Sequence, residues 1–189
     1  MRTTTELRSA ILAAARAEFA RCGLAGARID RIAKEAKASK ERLYAHFGDK
    51  ETLFREVFVG DGRELFASVT LRPEAVAEFV GEIYDLAWRR PEHLRMITWA
   101  KLEGLDLGAP EFDGEPMPGQ AVAAIEAAQA AGHVDPAWRP EDLIVLLFST
   151  GLAWAHLPHP DAVTDDPETI AHRRAVAVDA ASRLIAERR

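Results

Sequence analysis

At 189 residues and 48% hydrophobic side chains, the chain is long enough to bury a core and to hold a small domain fused to a larger one. No run of about 18 apolar residues occurs and the N-terminus lacks a signal-peptide core, which argues against a membrane or secreted protein and predicts a cytoplasmic one. The net charge of −6 is uneven, because residues 1–55 carry 12 Lys and Arg against 7 Asp and Glu while the remainder carries 12 against 23.

The first predicted helix covers residues 6–22 and ends at Gly23, a residue that readily adopts the left-handed conformation of a helix stop. Apolar residues recur along it at helical spacing and form one stripe: Leu7, Ile11, Leu12, Ala15 and Phe19. Cys22, the single cysteine, excludes an internal disulfide. Its side chain is either a packing residue or, with Arg21 beside it, a redox-sensitive thiol.

Residues 28–50 read as two short helices joined by a tight turn. Ile29, Ile32, Ala33 and Ala36 lie on one face of the first helix, and Leu43 and Phe47 share a face of the second. Ser39 stands between the helices as an N-cap, so that the next three residues project near the helix start. A helix held in this way is suited to enter a DNA groove, and the surplus of basic residues in this part of the chain fits phosphate binding. A solvated helical face would also be basic, so the charge alone does not decide between the two.

The string I-D-R-I-A-K-E-A, the turn with Ser39, L-Y-A-H-F at 43–47 and D-K-E-T-L at 49–53 together resemble the N-terminal helix-turn-helix of the TetR family of transcriptional repressors. The resemblance covers roughly the first third of the chain. Lys37 stands where the family usually has glycine, and Ala27 where it has Thr or Ser. A lysine held at positive φ in this turn would cost about 1–2 kcal/mol.

The resemblance implies an all-α protein with a three-helix DNA-binding head at residues 1–48 and a helical ligand-binding and dimerisation domain at 49–189. Lys40 and Arg42 are the candidates for reading base edges, with Glu41 as an acceptor for cytosine. Ser39, Tyr44, His46 and Lys50 are carried over as phosphate contacts, and Arg28 is added to the DNA-binding set. Tyr44 has the alternative of packing as a ring.

Asp49 caps a predicted helix at 50–67, and every later segment also reads as helix, at 73–90, 91–105, 120–131, 140–156 and 167–187. The helix at 91–105 is apolar on two faces, and in the resembled family central helices line the effector cavity. The candidates for contacting a small apolar effector are aromatic or methionine residues, each of which could instead be plain core: Trp88, Met96, Trp99, Phe112, Phe148 and Trp154.

The last two helices carry small residues, Gly151, Ala153 and Ala155 on one and Ala177, Ala180 and Ala181 on the other. Small faces permit close helix contacts, either inside the subunit or across a two-fold interface. Because the resembled family dimerises through its last two helices, we expect a homodimer that matches a palindromic operator.

Two other classes of function compete with a DNA-binding regulator. His156, His159 and Asp161 form a short cluster, with His133 and Asp135 elsewhere, that could hold a metal in a helical enzyme. No catalytic motif accompanies these residues, however, and loop histidines are usually solvated. A pure interaction scaffold would leave the basic head unexplained. We therefore expect a transcription regulator with operator DNA and a small-molecule effector as partners, and with no cofactor, metal ligand or catalytic residue.

Overall fold

The computed structural model describes residues 3–106, 111–112, 115–116, 119–157 and 164–187; for 65–67 and the two short strands only the backbone is described. Within these residues the fold is helical, as expected. No helix in the described part of the chain is long and apolar enough to cross a membrane. The chain divides into two compact units, the first made of residues 1–64 and 91–110 and the second of residues 65–90 and 111–189.

The first unit contains five helices, including the first part of α4: α1 (Thr4–Gly26), α2 (Ile29–Glu35), α3 (Lys40–Phe47), α4 (Lys50–Ala67) and α6 (Pro91–Leu102). Its core joins the predicted stripe of α1 to the apolar faces of α2, α3 and α4. The largest fully buried side chains of this core are Ile11, Phe19, Ile32, Leu43, Leu53, Phe54 and Met96. The predicted three-helix core is confirmed, and α4 and α6 extend it.

Local hydrogen bonds fix where these helices begin. Thr3 and Glu6 form a reciprocal capping box at the start of α1. Asp49 accepts a hydrogen bond from the backbone N–H of Thr52 at 2.7 Å, as expected for the cap of α4. Gly23 has a φ of 68° and interrupts α1, but one further helical turn follows it before the chain reaches α2.

The second unit contains α5 (Val76–Arg89), α7 (Gly119–Ala130), α8 (Pro140–Gly151), the short α9 (Ala153–His156) and α10 (Pro167–Ile185). Strands β1 (Glu111–Phe112) and β2 (Glu115–Pro116) pair antiparallel, with Glu111 opposite Pro116 and Phe112 opposite Glu115. This pair of two-residue strands leaves the predicted all-α class unchanged. Two residues per strand are too few to show the alternation by which a strand is recognised in a sequence.

Small residues in the second unit mainly allow its own helices to approach each other. A Cβ built on Gly151 would lie 2.6 Å from Cγ2 of Ile83 on α5. Ala177 and Ala181 are 1% and 0% exposed and belong to the unit's core. The expectation that these three residues face a partner subunit is wrong, because the space beside them is already filled by side chains of the same subunit.

The boundary between the compact units differs from the predicted division at residues 48 and 49. Asp49 and residues 50–64 of α4 belong to the first unit, and so does the whole of α6, which packs along α1. Residues 1–48 and 49–189 remain the predicted DNA-binding and ligand-binding domains, as a division of function.

Candidate DNA-binding site

The turn between α2 and α3 is held by backbone hydrogen bonds and by a lysine at positive φ. The N–H of Ala38 donates to the carbonyl of Ala33 at 2.9 Å, and Lys37 has a φ of 51°. Within the described part of the chain, Lys37 is the only non-glycine residue with a positive φ, at the position where the resembled family usually has glycine. Such a φ costs a residue with a Cβ about 1–2 kcal/mol. Buried Ile32 and Leu43 pack the two helices on a common core, so the turn and the core together fix the direction of α3.

Ser39 caps α3 as predicted: its hydroxyl accepts a hydrogen bond from the N–H of Arg42 at 3.3 Å. The carboxyl group of Glu41 has a lowered pKa because its own backbone N–H and the Ser39 hydroxyl both donate to it. The Glu41 carboxylate is therefore engaged at the helix start. A carboxylate has about four acceptor positions, so Glu41 could keep these local donors and still accept a hydrogen bond from cytosine.

Lys40, Arg42 and Tyr44 are all exposed on α3, with Tyr44 at 45% exposure. This exposure places Tyr44 at the surface rather than in the core. Lys40 forms an ion pair with Asp30 from the first turn of α2. Asp30 was not among the predicted site residues, because an ion pair across the turn between two helices cannot be read from helical spacing.

Arg28 directly precedes α2, and Lys50 is the first residue of α4. The Arg28 side chain is exposed, and its backbone N–H donates to Oε1 of Glu18 at 3.1 Å. The ammonium group of Lys50 donates to the carbonyls of Ala25 and Ala27 at 3.3 and 3.2 Å. In the free protein Lys50 thus braces the end of α1. His46 is half-buried in the last turn of α3.

A buried carboxylate beneath this surface organises the basic residues around it. Glu18 is 6% exposed and receives hydrogen bonds from the guanidinium groups of Arg21 and Arg31 and from the N–H of Arg28. Burial opposes ionisation, but these donors outweigh it and lower the pKa of Glu18. The signal in the sequence was an acid on the apolar side of α1, next to Phe19.

Family comparisons agree with this geometry. Residues 11–57 match the family model described as "Bacterial regulatory proteins, tetR family", and residues 75–183 match "Tetracyclin repressor-like, C-terminal domain". The chain belongs to the TetR family of transcriptional regulators. This TetR-family protein is a DNA-binding transcriptional repressor.

Relatives of this TetR-family chain include the HTH-type transcriptional repressor SCO4008 of Streptomyces coelicolor, 38% identical over 143 residues, which are 74% of this chain and 73% of the relative. The crystal structure of the transcriptional regulator SCO4942 from the same organism matches with a TM-score of 0.81 and 37% identity, over 94% of this chain and 97% of that one. A TetR-family structure from Shewanella, at 22% identity and a TM-score of 0.66 over 99% and 100% of the two chains, shows the shared fold.

The six predicted effector contacts of this TetR-family chain are distributed over both compact units. Met96 is fully buried in the first core, and Trp99, also in the first unit, lies over Gly23. In the second unit, Trp88 is 50% exposed. Phe148 and Trp154 pack edge-on against Phe79 and Tyr84, with ring centroids 5.4 and 5.7 Å apart. The side chain of Phe112 lies outside the described residues.

A surface cavity of about 420 Å³ opens in the second unit, near the start of α5. None of the five predicted residues whose side chains are described lines it. The residues around this cavity are Pro73, Glu74, Ala75, Val76, Ala77, Glu78, His133, Val178 and Ile185.

The histidines that suggested a metal site do not form one within the described chain. His133 and His156 are exposed, and Asp135 accepts a hydrogen bond from the N–H of Ala137 at 2.8 Å. His159 and Asp161 lie outside the described residues. No group of three possible metal ligands is found in the part of the chain that the structure describes.

Proposed function

We propose that this TetR-family repressor reads its operator with the N-terminal end of α3 in the major groove. The observation that supports this most directly is the Ser39-capped start of α3, where Lys40 and Arg42 are exposed on a head whose first 55 residues have an excess of basic side chains. Long cationic side chains at the start of a recognition helix can reach the O6 and N7 atoms of guanine.

The remaining DNA-binding residues are proposed to hold the backbone. Ser39, Tyr44 and His46 donate to phosphate oxygens, and Arg28 supplies a charge at the start of α2. Lys50 is proposed to bind a phosphate as well, which requires its ammonium group to keep or exchange its bonds to two backbone carbonyls. Contacts of this kind set register and salt dependence and carry no base preference.

Lys40 is proposed to pair with Asp30 in the free protein and with a guanine of the operator in the complex. In the free protein its charge is paired with Asp30, and both side chains are more than half exposed. An exposed pair of this kind contributes little to stability, so exchanging the carboxylate for a guanine costs little. Asp30 thereby keeps Lys40 near the start of α3 before DNA arrives.

We propose that the repressor acts as a homodimer through α8 and α10. The buried small residues are excluded from this interface, but larger apolar side chains on the same helices are exposed, with Val145 at 63%, Leu146 at 39% and Val176 at 41%. Exposed aliphatic side chains of this kind suit the core of a subunit interface. A two-fold dimer would place its two recognition helices on half-sites about 34–36 Å apart.

A small, largely apolar effector is proposed to modulate DNA binding in the cytoplasm, where the operator lies. Its proposed contacts in the second unit are Trp88, Phe112, Phe148 and Trp154, while Met96 and Trp99 of the first unit stay predictions from the sequence. Coupling between the sites must be reciprocal, so operator DNA weakens the binding of an inducer by the factor by which the inducer weakens DNA binding.

Selection from a pool of random duplexes tests the proposed function. Wild-type protein should enrich a pseudo-palindrome, and that duplex should bind at least about 10³-fold more tightly than a scrambled duplex at the same salt concentration. A variant that replaces both Lys40 and Arg42 by alanine should keep most of the scrambled-duplex affinity and lose the preference. Enrichment of no sequence by the wild type would contradict the proposal.

A further inference from the structure

The short helical turn after Gly23 is held by a carboxylate from a helix that is distant in sequence. Glu103, directly after α6, accepts hydrogen bonds from the N–H of Leu24 at 3.1 Å and from the N–H of Ala25 at 3.2 Å to each carboxylate oxygen. We refer to residues 24–28, which lead from Gly23 to the start of α2, as the connector. Its first two amides are therefore bound by the residue that follows α6 and not by a side chain of α1.

Gly23 makes this approach possible. A Cβ built on Gly23 would lie 2.8 Å from Cε3 of Trp99, and closer still to the carboxylate of Glu103. Any side chain at position 23 would therefore displace both residues. The absence of a side chain at Gly23 and its positive φ together create the space in which the carboxylate reaches the amides.

The opposite end of the connector is bound by a group of opposite charge. The ammonium group of Lys50 donates to the carbonyls of Ala25 and Ala27. The N–H end of a helical turn is partially positive and its C=O end partially negative, so Glu103 and Lys50 each meet the end that complements their charge. This single turn is thus clamped between α6 and the first residue of α4.

The connector determines where the two DNA-binding helices begin. Its last residue, Arg28, donates its N–H to the buried carboxylate of Glu18, and α2 starts at the next residue. Since α3 packs on α2 through one buried core, a shift of the connector moves both helices together. A displacement of the recognition helix by about 1 Å breaks its hydrogen bonds to bases, because these require short donor–acceptor distances. The electrostatic attraction to phosphate acts over longer distances and is largely kept.

We propose that Glu103 is a positioning residue for operator recognition: it holds the connector, and through it α3, in the geometry that reads bases. The inference rests on the function proposed above. A purely structural role of Glu103 would instead contribute to the stability of the first unit without changing the preference for one DNA sequence over another.

The test uses the full-length protein with Glu103→Gln, which keeps the size of the side chain and removes its charge, and Glu103→Ala. Glu92→Gln, the same change in the first turn of α6, is the matched control for loss of a negative charge. Affinity is measured for the duplex that the wild type selects and for its scrambled counterpart at one salt concentration. Hydrogen exchange of the Leu24 and Ala25 amides reports whether the contact itself is lost.

We expect Glu103→Gln to accelerate exchange at both amides and to lower affinity for the selected duplex about tenfold, with scrambled-duplex affinity unchanged within twofold. Glu92→Gln should match the wild type in all these measurements. The inference is overturned if the exchange accelerates in either Glu103 variant while its selected-duplex affinity stays within twofold of wild type, or if neither variant, Glu103→Ala included, accelerates the exchange. Failure of the wild type to prefer any duplex overturns the proposed function itself. If Glu103→Ala does not fold, the Gln variant still decides.

Discussion

Lys37 in the turn before α3 gives a prediction whose size follows from the backbone. Its φ of 51° lies in the left-handed region, which costs a residue with a Cβ about 1–2 kcal/mol. Glycine avoids that cost but loses about 0.5–1 kcal/mol through its greater freedom in the unfolded chain. Replacing Lys37 by glycine should therefore raise the free energy of unfolding, and replacing it by alanine should not, because alanine keeps the Cβ.

Urea unfolding at one protein concentration compares the two variants. Both remove the same exposed charge, so their difference isolates the backbone term. We expect Lys37→Gly to be about 0.5–1 kcal/mol more stable than Lys37→Ala, with equal slopes against urea. Equal stability of the two variants, or a less stable glycine variant, would refute the reasoning that the turn is strained at this residue.

Four further outcomes follow from other contacts. Burial lowers the pKa of His93, so the unfolded chain protonates first and wild-type stability should fall as pH drops below about 6.5; His93→Phe should flatten that part of the stability curve. Gly81→Ala places a Cβ 2.9 Å from Cγ2 of Val178, a short branched side chain that cannot swing away as the nearby Arg174 guanidinium can, and should cost about 1–3 kcal/mol in thermal unfolding. The wild type should sediment as a dimer and Val145→Glu as a monomer. If Lys50 neutralises a phosphate, Lys50→Gln should reduce the slope of log affinity against log salt by about 0.9. An unchanged slope would show that Lys50 binds the connector and no phosphate.

Much of the fold could be predicted because its signals are local. The apolar stripe of α1, the Ser39 cap and the Asp49 cap each involve residues within about four positions, which helical periodicity and capping rules cover. Helix α4 begins and ends where expected. Predicted helix boundaries were wrong where the local sequence signal is weak. Helix α5 starts at Val76 rather than Pro73, and α8 ends at Gly151 before a separate short helix.

The parts that escaped prediction depend on contacts between residues distant in sequence. Gly151 and Ala177 looked suited to a subunit interface, but whether a small residue faces outward or inward depends on which helix fills the space beside it. That the Trp99 side chain lies over Gly23 was also not predicted, because it depends on the packing of α6 on α1; its role as an effector contact stays a prediction. Glu103 had no local partner in the sequence, since its donors lie almost eighty residues earlier.

The most direct test of base reading at the start of α3 measures Arg42→Ala against the selected duplex and each of its single-base variants at fixed salt. The predicted result is that the variant protein loses about 1–3 kcal/mol of discrimination at one base pair in each half-site and keeps the wild-type preference at the others. A uniform loss of affinity across all duplexes would contradict it and would make Arg42 a phosphate contact.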